Sequence, residues 1–240
     1  MKNEVNLPFY MSLCLDDGWK SAAMAAYPLL ARYGMPATFY IISEMIDDVK
    51  YPQYMNVDDL RMLVENGHEL GSHTRSHQHL ITLTDEEVWA EITGGWDDMR
   101  ALGFEPRSFA YTYGEWSPYV VKQVWESGFA MARSIERGVN DRRTNPMLLR
   151  ANGVREADSI SQVAEQICQA QLKGGWFILY FHQIEPPEVL RENGWIYGTT
   201  PNVLEGILAY IQNAGIQVVT VEKGMERMLE IGLGSECLTS

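Results

Sequence analysis

The sequence predicts an α/β fold, a distorted (β/α) TIM-like barrel of seven or eight parallel strands, in a single domain over residues 1–240. Three observations carry this. Short, nearly continuous apolar runs rich in aromatic and branched residues, "ATFYII" (37–42) and "WFILYF" (176–181), have the composition of strands buried on both faces, which is a property of parallel sheets. Helix-period segments with legible ends lie between such runs, the alternation that βα units require. No G-x-G-x-x-G follows the first strand, which disfavours an open dinucleotide-binding sheet. The length of 240 residues suits one barrel-sized unit, and no repeat, low-complexity tract or linker rich in Pro, Gly or Ser offers a place to divide the chain.

The elements follow in order. Strands are expected at about 10–15, 37–42, 68–71, 107–111, 129–133, 147–154, 176–181 and 217–221, with helices between most of them. The first strand stops at Asp16, Asp17 and Gly18, and the helix after it contains Pro28, which either kinks it or marks its start. The third strand leads into "GSHTRSH". Thr84 and Glu87 form a capping box, and Val88, Ile92, Trp96 and Met99 follow at helical spacing, while Gly94 and Gly95 each weaken that helix by about 1 kcal/mol. In "DSISQVAEQICQAQLKGG" the inward residues are Ile160, Val163 and Ile167. The seventh strand ends at His182 of "LYFHQI". Thr200 followed by Pro201 starts the next helix, with Leu204, Ile207, Leu208 and Ile211 as its buried stripe and Gly215 past its end.

Composition excludes several classes. A net charge of −13 argues against a polyanionic partner, so neither nucleic acid nor an acidic membrane surface is expected. The three cysteines, Cys14, Cys168 and Cys237, are odd in number and widely spaced, which suggests neither a disulfide framework nor a zinc knuckle; Cys14 reads as a small buried hydrophobe. No run approaches the ~18 apolar residues of a membrane span. "MKNEVNLPFYMSLCL" has no basic region leading into an apolar stretch and no small-residue cleavage pattern, so a cytoplasmic location is expected, with a secreted protein whose signal has been removed as the alternative.

In a parallel barrel, functional groups sit where strands end. Asp16, Asp17, His73, His77 and His182 occupy such points and all can bind a metal or move a proton. The H-x-x-x-H spacing puts His73 and His77 one helical turn apart, on one face and able to share an ion. No Glu follows the first histidine, so the H-E-x-x-H metalloprotease reading fails for want of its base. A carboxylate from Asp16 or Asp17 would complete a two-histidine, one-carboxylate set with positions open for water and substrate. Two adjacent aspartates at a strand end diverge, so one can ligate while the other faces water as a base; a solvent-facing Asp-Asp-Gly turn is the alternative, and its coincidence with the histidines argues against it.

These segments resemble polysaccharide deacetylases of carbohydrate esterase family 4, the NodB-homology group, from about residue 13 to 221: "LDDGW", "SHTRSH", "AYTYG" and "LYFH" resemble its motifs in order, and "GMPATFYI" and "GHELGSHT" are similar to family sequence as well. The resemblance implies Asp16 as catalytic base, Asp17, His73 and His77 as ligands of a divalent metal, usually zinc, with cobalt or nickel as substitutes, and His182 as general acid. It implies that the backbone N–H of Tyr113 helps the metal hold an oxyanion. The implied reaction is attack of metal-activated water on an acetyl carbonyl of an acetylated carbohydrate such as chitin oligomers, peptidoglycan or poly-N-acetylglucosamine.

The chain departs from the family at the third motif, commonly Arg-x-Pro-Tyr, where Ala110 and Thr112 replace the arginine and the proline. That arginine normally pairs with the catalytic base, and Arg150 or Arg133 is expected to substitute from a neighbouring strand. No Asp-Trp match to the fourth motif, which orients the acid histidine, is present. Trp19, Trp116 and Trp195 are candidates for stacking on sugar rings, whereas His68 reads as a packed histidine and His79 as pointing away from the site. Three other readings remain: an O-acetyl xylan esterase, a hydrolase of small cyclic imides or ureides on the same fold, and a glycan-binding module with a degenerate site. A glycosidase is disfavoured because no carboxylate pair at later strand ends outranks the histidines.

Overall fold

The computed structural model describes residues 8–234. Cys237 lies outside them. Seven parallel strands form a curled half-barrel in the order β5-β4-β3-β2-β1-β7-β6: β1 (Phe9–Leu15), β2 (Thr38–Ile41), β3 (Glu69–Ser72), β4 (Ser108–Ala110), β5 (Met131–Arg133), β6 (Asn152–Gly153) and β7 (Gly175–Phe181). The two-residue β8 (Gln217–Val218) pairs with the start of β1. Helices α1 (Tyr27–Tyr33), α2 (Val57–Glu65), α3 (Asp85–Ala101), α4 (Pro118–Glu126), α5 (Ile160–Lys173), α6 (Pro187–Asn193), α7 (Pro201–Asn213) and α8 (Val221–Gly234) complete the described chain. Among the described residues no helix is long and apolar enough to cross a membrane.

The apolar runs are apolar because both faces of β1 and β7 are buried, and their period of two sorts the side chains into two cores. Met11, Leu13, Leu15, Phe177, Leu179 and Phe181 join the layer between sheet and outer helices, where Val163 and Ile167 of α5 and Leu204, Ile207, Leu208 and Ile211 of α7 meet them. Tyr10, Cys14, Trp176, Ile178 and Tyr180 point into the barrel, which Val221, Met225 and Met228 of α8 help to fill. Val88, Ile92, Phe109, Val120, Val124 and Phe129 form a third cluster under α3 and α4.

All eight expected strands exist, with two of them reshaped. The stretch expected as a strand over 147–154 is a 3-10 turn at Pro146–Leu148, a single bridge from Leu149 to Arg133, and then β6. The last strand is cut to two residues because Val219 and Val221 turn inward onto the barrel core. Pro28 marks the start of α1, as the second of its residues: a π-helical turn, Ala22–Ala26, precedes the α-helix, and the N–H of Tyr27 donates to the Ala22 carbonyl five residues back, so the ladder widens beside a residue that has no N–H to give. Thr84 and Glu87 make the capping box of α3, and Ser159 with Gln162 makes another on α5. Ile160, expected inward, is exposed at the first position of α5. Trp96 is half-buried against Phe129.

Candidate active site

The strand order brings the expected groups together at one end of the barrel. The N–H of Asp16 donates to the carbonyl of Phe181 (2.9 Å) and that of His73 to Ile41 (2.9 Å), so the residues that follow β1, β3 and β7 are continuations of the same ladder. Asp17, at φ 70°, turns the chain directly after the strand, in a left-handed conformation that Asp tolerates better than most residues. This reversal sends the two carboxylates apart. Asp16 faces into the barrel and pairs with Arg133, a contact buried on both sides. Asp17 faces the histidines.

His73 and His77 do not lie on a helix. They flank a loop in which Thr74 and His77 have φ of 66° and 61°, held by the His77 N–H donating to Thr74 Oγ1 (3.0 Å) and by Arg75 and Ser76 bonding to Glu91 of α3. The result is the convergence expected of a helical turn by another route: the two imidazole centroids are 4.8 Å apart. Asp17 Oδ1 lies 3.3 Å from Nε2 of His73 and 3.4 Å from Nε2 of His77. Nδ1–H of His73 donates to the Ala110 carbonyl (2.8 Å), which leaves Nε2 as the ring's lone pair. Asp17 Oδ1 is buried, faces both imidazole nitrogens and has no hydrogen-bond partner among the described residues. A divalent cation resolves that arrangement, and one ligand atom from each of Asp17, His73 and His77 lies within 4.8 Å of the others, so the donor set fits such an ion. Burial works against ionisation of Asp17, but His73 and His77 beside it, and His182 further off, hold its carboxyl well below the usual carboxylate range.

The remaining groups border a cavity of about 520 Å³ above the cluster. Tyr113 sits on its rim at φ 56°, with its ring stacked on His79 at 3.7 Å and 4.6 Å from the His77 ring. His182 reaches the cavity between Tyr180 and Tyr197, both 5.7 Å away by ring centroid. Its Nδ1 is buried without a partner among the described residues, in line with the missing fourth motif. The segment 194–197 forms one wall, and Trp195 is part of it. Trp19 stacks against Trp195 (5.1 Å), whereas Trp116 packs on the α3–α4 cluster and is no part of the site.

Of the two arginines expected to replace the third-motif arginine, the structure selects Arg133. It stands directly across the β4–β5 ladder from Ala110. Arg150 is exposed, and its backbone N–H bonds to Asn140. His68 is packed as expected, and His79 pairs with Glu115 (2.9 Å) outside the Asp17–His73–His77 cluster. Sequence reasoning missed Ile135, Arg155, Ile196 and Tyr197 on the cavity wall. The aromatic content of "GWIYG" was the one available signal, and it points to Trp195 before Tyr197.

A family model described as polysaccharide deacetylase matches residues 6–132. Chitin deacetylase 1 of Saccharomyces cerevisiae is 34% identical over 113 residues, covering 47% of this chain and 34% of that protein. The chain spans less than half the length of the curated relatives it matches. Among solved structures, the Xyl-CE4 domain of a multidomain xylanase from the hindgut metagenome of Trinervitermes trinervoides superposes with a TM-score of 0.64 at 19% identity, over 92% of this chain and 91% of that one. The peptidoglycan deacetylase PdaC of Bacillus subtilis gives 0.64 at 16% identity over 98% and 99%. Both likenesses are of fold.

Proposed function

The chain belongs to the polysaccharide deacetylase family, and on that premise we propose that it is a metal-dependent hydrolase that removes acetyl groups from an N-acetylated glycan. The observation that supports this best is the division of labour between neighbouring aspartates: Asp17 converges with His73 and His77, while Asp16 is paired with Arg133 alongside them.

Asp17, His73 and His77 would hold the cation, for which zinc suits the His-His-Asp set. When bound, such an ion supplies Lewis acidity toward an acyl carbonyl oxygen and toward water. Asp16 is the group placed to take the proton of the attacking water, and Arg133 holds its carboxylate in one orientation. His182, across the cavity, is placed to protonate the departing amine. Tyr113, at the rim, would lend its backbone N–H to the oxyanion, and Tyr197, Ile196 and Trp195 line the same cavity. A cavity of about 520 Å³ is in the range that holds a small ligand, so a short stretch of glycan, or a small cyclic imide, would be the part enclosed.

The test is acetate release from N-acetylglucosamine oligomers, acetylated xylan and a small imide, with zinc or cobalt added, for the wild type and Asp16→Asn. Release from the N-acetylated sugars that needs metal and falls at least about 100-fold in the variant is expected. Release from xylan alone would move the reading to an O-acetyl esterase, imide turnover alone to the imide hydrolase, and metal binding with no turnover to a binding module.

A further inference from the structure

We propose that Trp19 is a positioning residue: its indole N–H fixes the rotamer of Asp17 and thereby sets the affinity of the Asp17–His73–His77 cluster for a divalent cation. This rests on the metal-site reading above. Nε1–H of Trp19 donates to Asp17 Oδ2 at 2.8 Å, the one hydrogen bond that the Asp17 side chain makes among the described residues. The other oxygen, Oδ1, is thereby the one turned to both histidine Nε2 atoms. A donor at Oδ2 makes the difference between a carboxylate that waits in ligating geometry and one free to rotate.

The indole is itself held. Tyr54 stacks on it at 4.5 Å and 22°, Trp195 packs at 5.1 Å and 50°, and the backbone of Trp19 forms an antiparallel bridge with Tyr54. Lys20 N–H to Gln53 (2.7 Å) and Met55 N–H to Gly18 (2.8 Å) clamp the same segment. With its ring occupied by these two partners, Trp19 is poorly placed to stack on a sugar, and its free edge points at the ligand. The chemistry of the donor matters too. Asp16 receives a guanidinium, which neutralises it and reserves it from the metal; Asp17 receives a neutral N–H, which orients the carboxylate and leaves its full charge for a cation. The two adjacent aspartates are thus told apart by their donors.

The experiment strips the purified full chain with a chelator and titrates it with zinc against a chromophoric chelator. Four proteins are compared: wild type, Trp19→Phe, Trp195→Phe and His73→Ala. Trp19→Phe keeps an aromatic ring in the stack and removes the N–H together with the five-membered ring that carries it; a 10- to 100-fold rise in zinc Kd is expected, on the order seen when a metal ligand loses its supporting partner. Excess zinc should return most of its kcat. Trp195→Phe perturbs the same stack without touching the hydrogen bond and should bind zinc as the wild type does. Wild-type affinity in Trp19→Phe overturns the proposal. So does equal weakening in Trp195→Phe, because the stack and not the N–H would then be responsible. Wild-type zinc binding in His73→Ala, or none in the wild type, overturns the metal-site reading itself and the proposal with it.

Discussion

Arg133 and Ala110 face each other across one rung of the β4–β5 ladder. Residues directly opposite in a parallel pair project from the same face, so an arginine on either strand enters the barrel at nearly the same place. That equivalence explains how the chain can lack the third-motif arginine and still pair Asp16. Arg133 is 1% exposed and lies 4.8 Å over the rings of both Tyr40 and Tyr180, an apolar sleeve in which an unpaired charge is costly. Arg133→Ala is expected to destabilise the fold by about 3–5 kcal/mol, because it strands Asp16. It should also cut kcat by at least about 100-fold by leaving the base unheld. Adding Ala110→Arg should restore a measurable part of both losses in urea melts and acetate assays. Turnover near wild type in the single variant would remove Arg133 from the mechanism. Asp16, Asp17, His73, His77 and His182 are legible in the sequence because each stands at a strand end in a short motif. The choice of Arg133 over Arg150 depends on ladder register, which no local pattern carries.

At the scale of elements, α3 does more than cover the sheet. The loop from His73 to His77 leans on it, and a Cβ built on Gly95 would stand 2.7 Å from the carbonyl carbon of Thr74. Thr74 is backbone and cannot swing away, and its carbonyl also accepts from Ser43. At Gly94 the nearest atom is Arg75 Cδ at 2.9 Å, on a flexible side chain. The helix gains about 1 kcal/mol of propensity from either alanine, so the steric term decides. Gly94→Ala should be neutral or stabilising by up to about 1 kcal/mol. Gly95→Ala should cost about 1–3 kcal/mol net and weaken zinc binding by displacing the ligand loop. Urea midpoints and the zinc titration check this pair, and equal stabilisation by both would contradict the close-approach account. In the sequence the two glycines read only as a weakness. The caps of α3 and α7 were readable because capping is local chemistry; the non-helical path of Thr74–His77 was not, because it is set by contacts with Glu91 on another element.

Across the whole molecule, the barrel has a polar open end and a closed one. At the closed end α8 fills the floor, and its first turn is tied to the sheet through Glu69, which accepts from the N–H of Glu222 (2.8 Å) and from Thr38 Oγ1 (3.0 Å). The last strand belongs to this long-range closure, and the 147–154 stretch is bent where Leu149 bridges to Arg133 across the sheet; both depend on distant contacts, which is why their lengths were not legible while the strand count was. His68 sits at the same end, 8% exposed, edge-on to Tyr27 (5.6 Å) and Phe39 (5.4 Å), its Nδ1 accepting from the Ala37 N–H (3.1 Å). Burial lowers its pKa below the ordinary histidine value of 6.5. The unfolded chain therefore takes up a proton below about pH 6.5 that the folded chain refuses, and the stability present above that pH is lost as pH falls toward the folded value, at up to about 1.4 kcal/mol per pH unit. His68→Asn can still accept from Ala37 through Oδ1 and has nothing to titrate. In urea titrations at pH 7.5, 6.5 and 5.5, the wild type should lose stability relative to the variant as pH falls, most at the lowest pH. The difference between the two proteins isolates this histidine from every group common to both, so a gap that stays constant with pH would show that His68 accepts a proton as readily folded as unfolded.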